Sequence, residues 1–418
     1  MLGRTNTLSL RESIDLLYNA LKNKKILHTI GERTSYNDEP IFYQYGSELK
    51  IRKKRTSEAL TSSGFSFYSA EEALVKCLGE AAERYCLYKY DKSKIIFSSA
   101  NKLLQQNPVD ISLYIHDKNL NDLTLGWVRG IDANGMKCMI PAQLVYYGYN
   151  KKRDDLDLLQ PQVSTGGAGE FSKTKALLSG IYEVVERDAF MTSYLNSVKF
   201  LPVSQKRIPS DSIHSIISHI KRYNIEPYIY DITNDLQIPV YCALLVDRTG
   251  IGPAFTIGAK AGFDTKIAIL GAIAEACMMR PSIRYFKSQP REARNPSIIM
   301  DRAMIWDSIE KIKTLNFATG GGNVSIKFSD GFVNKKDELE RVRRLLKDKG
   351  LKYYFADITL KEFRTIGYTV YKVIIPGLQP LYLHENEKKN IDKKRLECVA
   401  SFFGVNGNKV NQTPHPFL

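Results

Sequence analysis

One five-residue string occurs in two distant places: Glu80-Ala81-Ala82-Glu83-Arg84 and Glu183-Val184-Val185-Glu186-Arg187. In both, the glutamates stand at i and i+3. On a helix that spacing puts the two carboxylates on one face, with Cβ atoms about 5–6 Å apart. Leu74, Leu78, Ala81 and Tyr85 recur at helical spacing and predict a helix over 71–90. Leu177, Ile181, Val184, Val185 and Ala189 predict another over 173–195. A single E-x-x-E-R string is an ordinary exposed helix sequence. Two copies flanked by small and apolar residues (Leu78-Gly79, Ile181-Tyr182, Ala189-Phe190-Met191) point instead to buried, compensated charge.

Paired carboxylates repel unless something positive lies between or opposite them. Hard divalent cations bound to phosphates are such a partner, and an adjacent arginine reaches phosphate or braces the carboxylates. Two helices of this kind, facing one another, form a cage for Mg²⁺ and a nucleoside triphosphate. Glu80, Glu83, Glu183 and Glu186 are then the expected metal ligands, with Arg84 and Arg187 beside them. No Walker loop is present: Thr319-Gly320-Gly321-Gly322-Asn323 lacks a following Lys-Ser/Thr and reads as a turn. Ser164-Thr165-Gly166-Gly167-Ala168-Gly169 precedes the second helix, where a glycine-rich turn can present N–H groups to phosphate.

Elsewhere helices alternate with strands. Helices are expected at Arg11–Leu21, 209–222, from Thr265 to Met279, and 337–349; strands at Ile41–Tyr45, Pro227–Asp231, Val240–Val246, Tyr353–Ile358 and Thr369–Ile375. The fold class is mixed α/β. We expect residues 1–60 to join the same globule, 61–403 to form the catalytic domain, and 404–418 to be a proline-containing tail. The N-terminus has no apolar secretory core, and the longest apolar runs are of strand length, so no membrane partner is expected. Six scattered cysteines form no C-x-x-C pair and meet no histidine cluster, which predicts reduced, mostly packed thiols and a cytoplasmic setting. The net charge of +15 suits acidic partners, yet no finger spacing or RNP-like motif marks a nucleic-acid binder. The basic clusters at Lys50–Arg55 and Lys388–Arg395 read as solvated faces.

Four blocks together resemble the YcaO family. They are Gly79–Tyr85; Ser164-Thr165-Gly166 leading to Glu183–Phe190; Phe255–Ala259 leading to Ala274-Glu275-Ala276 and Arg280-Pro281; and Val373–Leu381 with its Pro376-Gly377-Leu378-Gln379-Pro380 run. With the tail, the resemblance spans about residues 60–418. It implies a YcaO fold and an ATP site without a P-loop, lined by helices. Glu80, Glu83, Arg84, Ser164, Glu183, Glu186, Arg187, Glu275 and Arg280 would contact Mg²⁺ or nucleotide. It also implies that ATP phosphorylates a peptide amide oxygen after a nucleophile has attacked the carbonyl, turning a poor leaving group into a good one.

Pro414-His415-Pro416-Phe417-Leu418 is similar to the proline-rich end of azoline-forming cyclodehydratases, so Pro414, Pro416 and Leu418 would line the reaction centre. Leu418 stands where a final proline is expected. The block at Ser66–Tyr85 resembles the streptolysin-type bacteriocin branch. The implied partners are a ribosomal precursor peptide, a separate E1-like or RRE-containing leader-binding protein, a flavin dehydrogenase and a second copy of the chain. Lys76, Glu170, Lys175 and Met278 depart from the family pattern. Two further readings stay open: a thioamide-forming enzyme using sulfide, and a non-catalytic scaffold that binds precursor or partner.

Overall fold

The computed structural model describes residues 8–52, 59–114, 120–150, 152–155, 159, 163–289, 298–312, 315, 326–383, 385–407 and 409–417. The glycine-rich run at 319–323 and Leu418 lie outside the described residues.

Helix α1 (Leu10–Asn23) opens on a capping box: Ser9 accepts from the Glu12 N–H, and Glu12 accepts from the Ser9 N–H. Strands β1 (Leu27–Glu32), β2 (Tyr43–Arg52) and β3 (Ala59–Ser66) form a three-stranded sheet. Helix α2 (Ala70–Tyr88) packs on it at close range. Gly64 permits that approach, since a Cβ there would stand 2.0 Å from the Ala73 carbonyl oxygen. Then follow β4 (Ile96–Ser98), β5 (Leu125–Asp132), β6 (Lys137–Pro141), β7 (Gly167–Glu170) and α3 (Lys173–Leu195). The next stretch holds β8 (Leu201–Pro202), α4 (Asp211–Lys221), β9 (Ile225–Asp231), β10 (Val240–Asp247), β11 (Phe255–Ala261) and α5 (Thr265–Ser288). The remainder holds α6 (Ile298–Ile305), α7 (Lys335–Asp348), β12 (Tyr354–Asp357), β13 (Thr369–Ile374) and α8 (Lys393–Phe403).

A four-stranded sheet runs β11-β10-β9-β8; a six-stranded sheet runs β4-β5-β12-β13-β7, with β6 on β5. The ladders of all three sheets are antiparallel. Among the described residues, the mixed α and β composition expected from the sequence is therefore built without parallel crossover units.

Helix α3 lies between the two larger sheets. Sixteen of its 23 residues are buried, so it is a core element and not a surface helix. The uninterrupted apolar run of β10 follows from burial on both faces. Val240, Cys242, Leu244 and Val246 join α3 in one cluster, while Tyr241, Ala243 and Leu245 join α4 and α5 in another. In β13, Tyr371 and Val373 face α3, and Val370 and Ile374 face the cluster built around α2. Leu17, Leu21 and Leu49 pack into that α2 cluster, which ties the N-terminal segment to the body of the fold.

Two expectations need correction. The helix from Thr265 does not stop at Met279 before Pro281; α5 runs through the proline to Ser288. Pro281 has no N–H and withdraws one helical hydrogen bond. The later turns are held from outside. Arg280 is buried and forked between Glu39 (2.7 and 2.9 Å) and Asp247 (2.7 Å). Arg284 pairs with Asp38 and lies over the Tyr36 ring, and Lys287 pairs with Asp307. Second, Arg395 is not part of a solvated basic face. It is buried and makes two hydrogen bonds to Asp188 and two to Asp235, each of 2.7 or 2.9 Å.

All six cysteines are free and all but Cys398 are buried, as their scatter suggests. Among the described residues no helix is long and apolar enough to cross a membrane. Removing one member of a buried charge network strands its partners. Arg395→Met and Arg280→Met should each lower unfolding free energy by about 3–5 kcal/mol, read by denaturant titration.

Candidate functional site

The two E-x-x-E-R helices meet, with β7 and β13 beside them. Glu83 faces Glu183, with the Gly169 backbone favouring its charged form. Burial pushes the Glu83 carboxyl well above its usual range, and Glu183 and Glu80 push it further; Arg84 opposes them. Glu80 turns back along its own helix. Its carboxylate takes the Ser63 N–H at 2.6 Å and the Arg84 Nε–H at 2.8 Å. Arg84 is thus a brace within α2.

Glu183 accepts the Gly166 N–H at 2.8 Å. That bond needs the turn at 164–167 to lie flush on α3 and β13. Gly166 has φ +84°, and a Cβ there would stand 2.2 Å from the Val373 carbonyl oxygen. Ser164 contributes its carbonyl, which closes the turn on the Gly167 N–H at 2.8 Å. The glycine-rich run is therefore not a phosphate loop at a helix entrance. Gly167–Glu170 is strand β7, and Ser172 caps α3. Beneath the turn, the buried Lys372 donates to the Val163 and Thr165 carbonyls. Burial lowers its pKa to about 8, against the pull of Glu183 and Glu83.

One helical turn on, Glu186 is 2% exposed. It accepts the Ala261 N–H at 3.2 Å and has Arg187 at 3.6 Å and Lys260 at 3.9 Å. Burial raises its carboxyl to about 7, with Lys260 and Arg187 opposing. Glu275 of α5 accepts the Ala259 N–H at 2.8 Å and the Arg187 Nη2–H at 3.2 Å. Gly258 sets that reach: a Cβ there would stand 2.4 Å from the Ala272 carbonyl oxygen, so β11 runs against α5. Arg187 stands among three carboxylates, with Glu183 at 3.9 Å as the third. Its Nε and Nη1 are buried without a hydrogen-bond partner.

The tail reaches this guanidinium. Phe417 is 1% exposed and lies under Arg187, 4.2 Å from ring centre to guanidinium carbon, and packs on Phe190 at 4.7 Å. Pro416 lines an apolar recess with Phe190, Tyr194, Phe200 and Tyr230. The Pro414 carbonyl accepts from Tyr194 at 3.1 Å and from Trp306 at 3.0 Å; the His415 carbonyl accepts from Arg302 at 3.0 Å.

The sequence profile of the YcaO cyclodehydratases, described as ATP- and Mg²⁺-binding, matches residues 67–379. The chain belongs to the YcaO family. Solved structures of similar fold include a heterocyclase in complex with substrate and cofactor, with TM-score 0.77 and 17% identity over 98% of this chain and 57% of that one. This chain therefore spans little more than half the length of that heterocyclase. YcaO from Methanopyrus kandleri, bound with AMPPCP and Mg²⁺, matches with TM-score 0.66 and 15% identity over 92% and 94% of the two chains. The E. coli microcin synthetase McbBCD complex matches with TM-score 0.62 and 13% identity over 92% and 96%. No curated protein matches the sequence.

In this YcaO chain the four expected metal ligands do not form a cage. Among the described residues no three Glu, Asp, His or Cys side chains converge at metal-binding distance. The i and i+3 spacing brings the Cβ atoms together, but the long side chains diverge: Glu80 to Ser63, Glu183 to Gly166, Glu186 to Ala261. The residues still fit Mg²⁺ and triphosphate, because Mg²⁺ is usually held by one or two carboxylates plus substrate phosphates. Glu83 and Glu183 suit that part, and the orphaned N–H groups of Arg187 suit an anion. Arg280 does not belong here, since Glu39, Asp247 and the Pro253 carbonyl use its guanidinium. Of the departures, Lys76 pairs with Glu72 at 2.6 Å, and the Met278 carbonyl accepts from Gln44 at 3.2 Å. Glu170 and Lys175 lie close enough to influence one another. The sequence reading missed Lys260 and Lys372; Phe417 lies within the Pro416–Leu418 stretch expected to line the reaction centre. A lysine inside the apolar strand Thr369–Ile374 was the one available signal.

His415 gives a test of tail docking. Its Nε2 bonds the Tyr382 carbonyl at 2.7 Å; burial, with Arg302 and Lys388 nearby, lowers its pKa to about 3. The unfolded ring binds a proton near pH 6.5, so this contribution to stability is complete above that pH and is lost as pH falls toward 3. Emission from Trp306, one of two tryptophans, should shift across that window as the tail releases, and His415→Gln should flatten the dependence.

Proposed function

We propose that this chain is an ATP-dependent peptide cyclodehydratase that forms thiazoline or oxazoline rings from Cys, Ser or Thr of a ribosomal precursor peptide. The observation that carries this reading is the contact of Phe417 with Arg187, which joins the tail to the carboxylate cluster. A side chain of the substrate attacks the preceding amide carbonyl, the amide oxygen takes the γ-phosphoryl group, and phosphate leaves. Mg²⁺, when bound, would supply charge neutralisation. Glu83 and Glu183 would hold the metal, with Glu80 beside them. Arg187 presents Nε and Nη1 to negative charge in a dry setting, where such donors act most strongly. Phe417 and Pro416 close the apolar side and exclude water.

The chemistry requires a precursor peptide, and a separate leader-binding protein would deliver it. A homodimer, a flavin dehydrogenase acting on the product and a cytoplasmic location complete the reading, as do a catalytic domain over 61–403 and a tail from 404. Incubated with such a partner, ATP, Mg²⁺ and a Cys-rich precursor, the chain should remove one water mass per ring. Arg187→Met should reduce the rate by about 100-fold or more. Deleting the last five residues should abolish ring formation. A thioamide-forming enzyme would tolerate that deletion, and a scaffold would show no ATP turnover at all.

A further inference from the structure

Charge divides the site into two unlike halves. Glu83 and Glu183 face one another, with Glu80 alongside. Glu183 has one cation of the chain nearby, Arg187 at 3.9 Å, whereas Glu186 has two and Glu275 is met more closely. Arg187 touches Glu186 and Glu275, at 3.6 and 3.2 Å, and the Lys260 ammonium stands 3.9 Å from Glu186. Both Glu186 oxygens are engaged: Oε1 faces Arg187, while Oε2 takes the Ala261 N–H and faces Lys260.

The fold makes a bed for that lysine. Lys260 starts on β11 and its stem crosses α5 over Gly271. A Cβ at residue 271 would stand 2.7 Å from the Lys260 Cγ and 3.2 Å from its Cβ and Cδ. The bare helix surface there gives the stem its path toward Glu186.

A divalent cation at Glu186 would need free carboxylate oxygens and a nearly octahedral shell at about 2.0–2.1 Å. It would also sit against the Lys260 ammonium. Lysine is a compact charge on a flexible stem with three donors, suited to phosphate oxygens. We propose that the Lys260 ammonium takes the place of a divalent cation at Glu186, so that bound triphosphate meets lysine on that side and metal only on the Glu83–Glu183 side. This rests on the nucleotide-site reading above.

Mn²⁺ is the probe, counted by electron paramagnetic resonance on the purified chain with a non-hydrolysable ATP analogue. Lys260→Ala should bind one Mn²⁺ more than wild type, and K260A/E186Q should return to the wild-type count. Lys260→Arg keeps the charge and should keep the count. Gly271→Ala improves helix propensity while displacing the stem, and should move the count toward that of K260A. At limiting Mn²⁺, K260A should bind the analogue about tenfold more weakly, the loss of one charge-assisted contact. An unchanged count and affinity in both K260A and G271A, with wild type binding normally, overturns this proposal alone. Wild type that takes up neither analogue nor Mn²⁺ overturns the nucleotide site and this proposal with it.

Discussion

Three consecutive charged residues, Glu186, Arg187 and Asp188, lie on a helix with almost no water around it, and each must be compensated in its own direction. Successive side chains on a helix diverge by about 100°, from 3.6 residues per turn. Glu186 points to the end of β11 and Lys260. Arg187 points to Glu275 of α5 and the tail. Asp188, wholly buried, takes Asn234, the Gln379 N–H and the Arg395 fork. A buried charge without a partner is expensive, so these demands fix where β11, α5, α8 and the Pro376–Pro380 segment lie around α3. The site and the core are thus one charge-balanced assembly.

Much of this was legible in the chain. Lys173–Leu195 is the helix that its apolar stripe predicted, because a period held over several turns outweighs local ambiguity. The glutamate pairs marked two helices that meet, and the tail motif a segment that packs against them. What was not legible depended on torsions or on distant partners. The i, i+3 rule places Cβ atoms; two further carbons let Glu80 fold back to Ser63, so a cage in sequence is not a cage in space. Arg395 sits in a basic cluster, and its partner Asp188 is 207 residues away. The helix from Thr265 was expected to end at Met279, yet Arg280 and Arg284, paired with Glu39, Asp247 and Asp38, remote in sequence, hold it beyond that point.

The glycine-rich segment before α3 is a closely packed turn and strand where a phosphate-presenting turn was expected. Its glycines matter because they let a turn and a strand lie flush on Val373 and Gly180. The Gly166 N–H that could have met phosphate is turned inward to Glu183. The same logic brings β11 onto α5 at Gly258. Close backbone approach, more than anion binding, is the use to which this chain puts its small residues.

The carboxylates of this site are held largely by main-chain donors: the N–H groups of Ser63, Gly166, Ala259 and Ala261. Every amino acid except proline carries that donor. The recognition surface is therefore written in the path of the backbone and not in the letters at those positions. Side-chain truncation at Ser63 would leave the bond to Glu80 in place, and Ala259 and Ala261 have nothing to truncate. Relatives can drift at such positions while keeping the same carboxylate geometry, which makes a diverged site of this kind easier to see in coordinates than in aligned sequences.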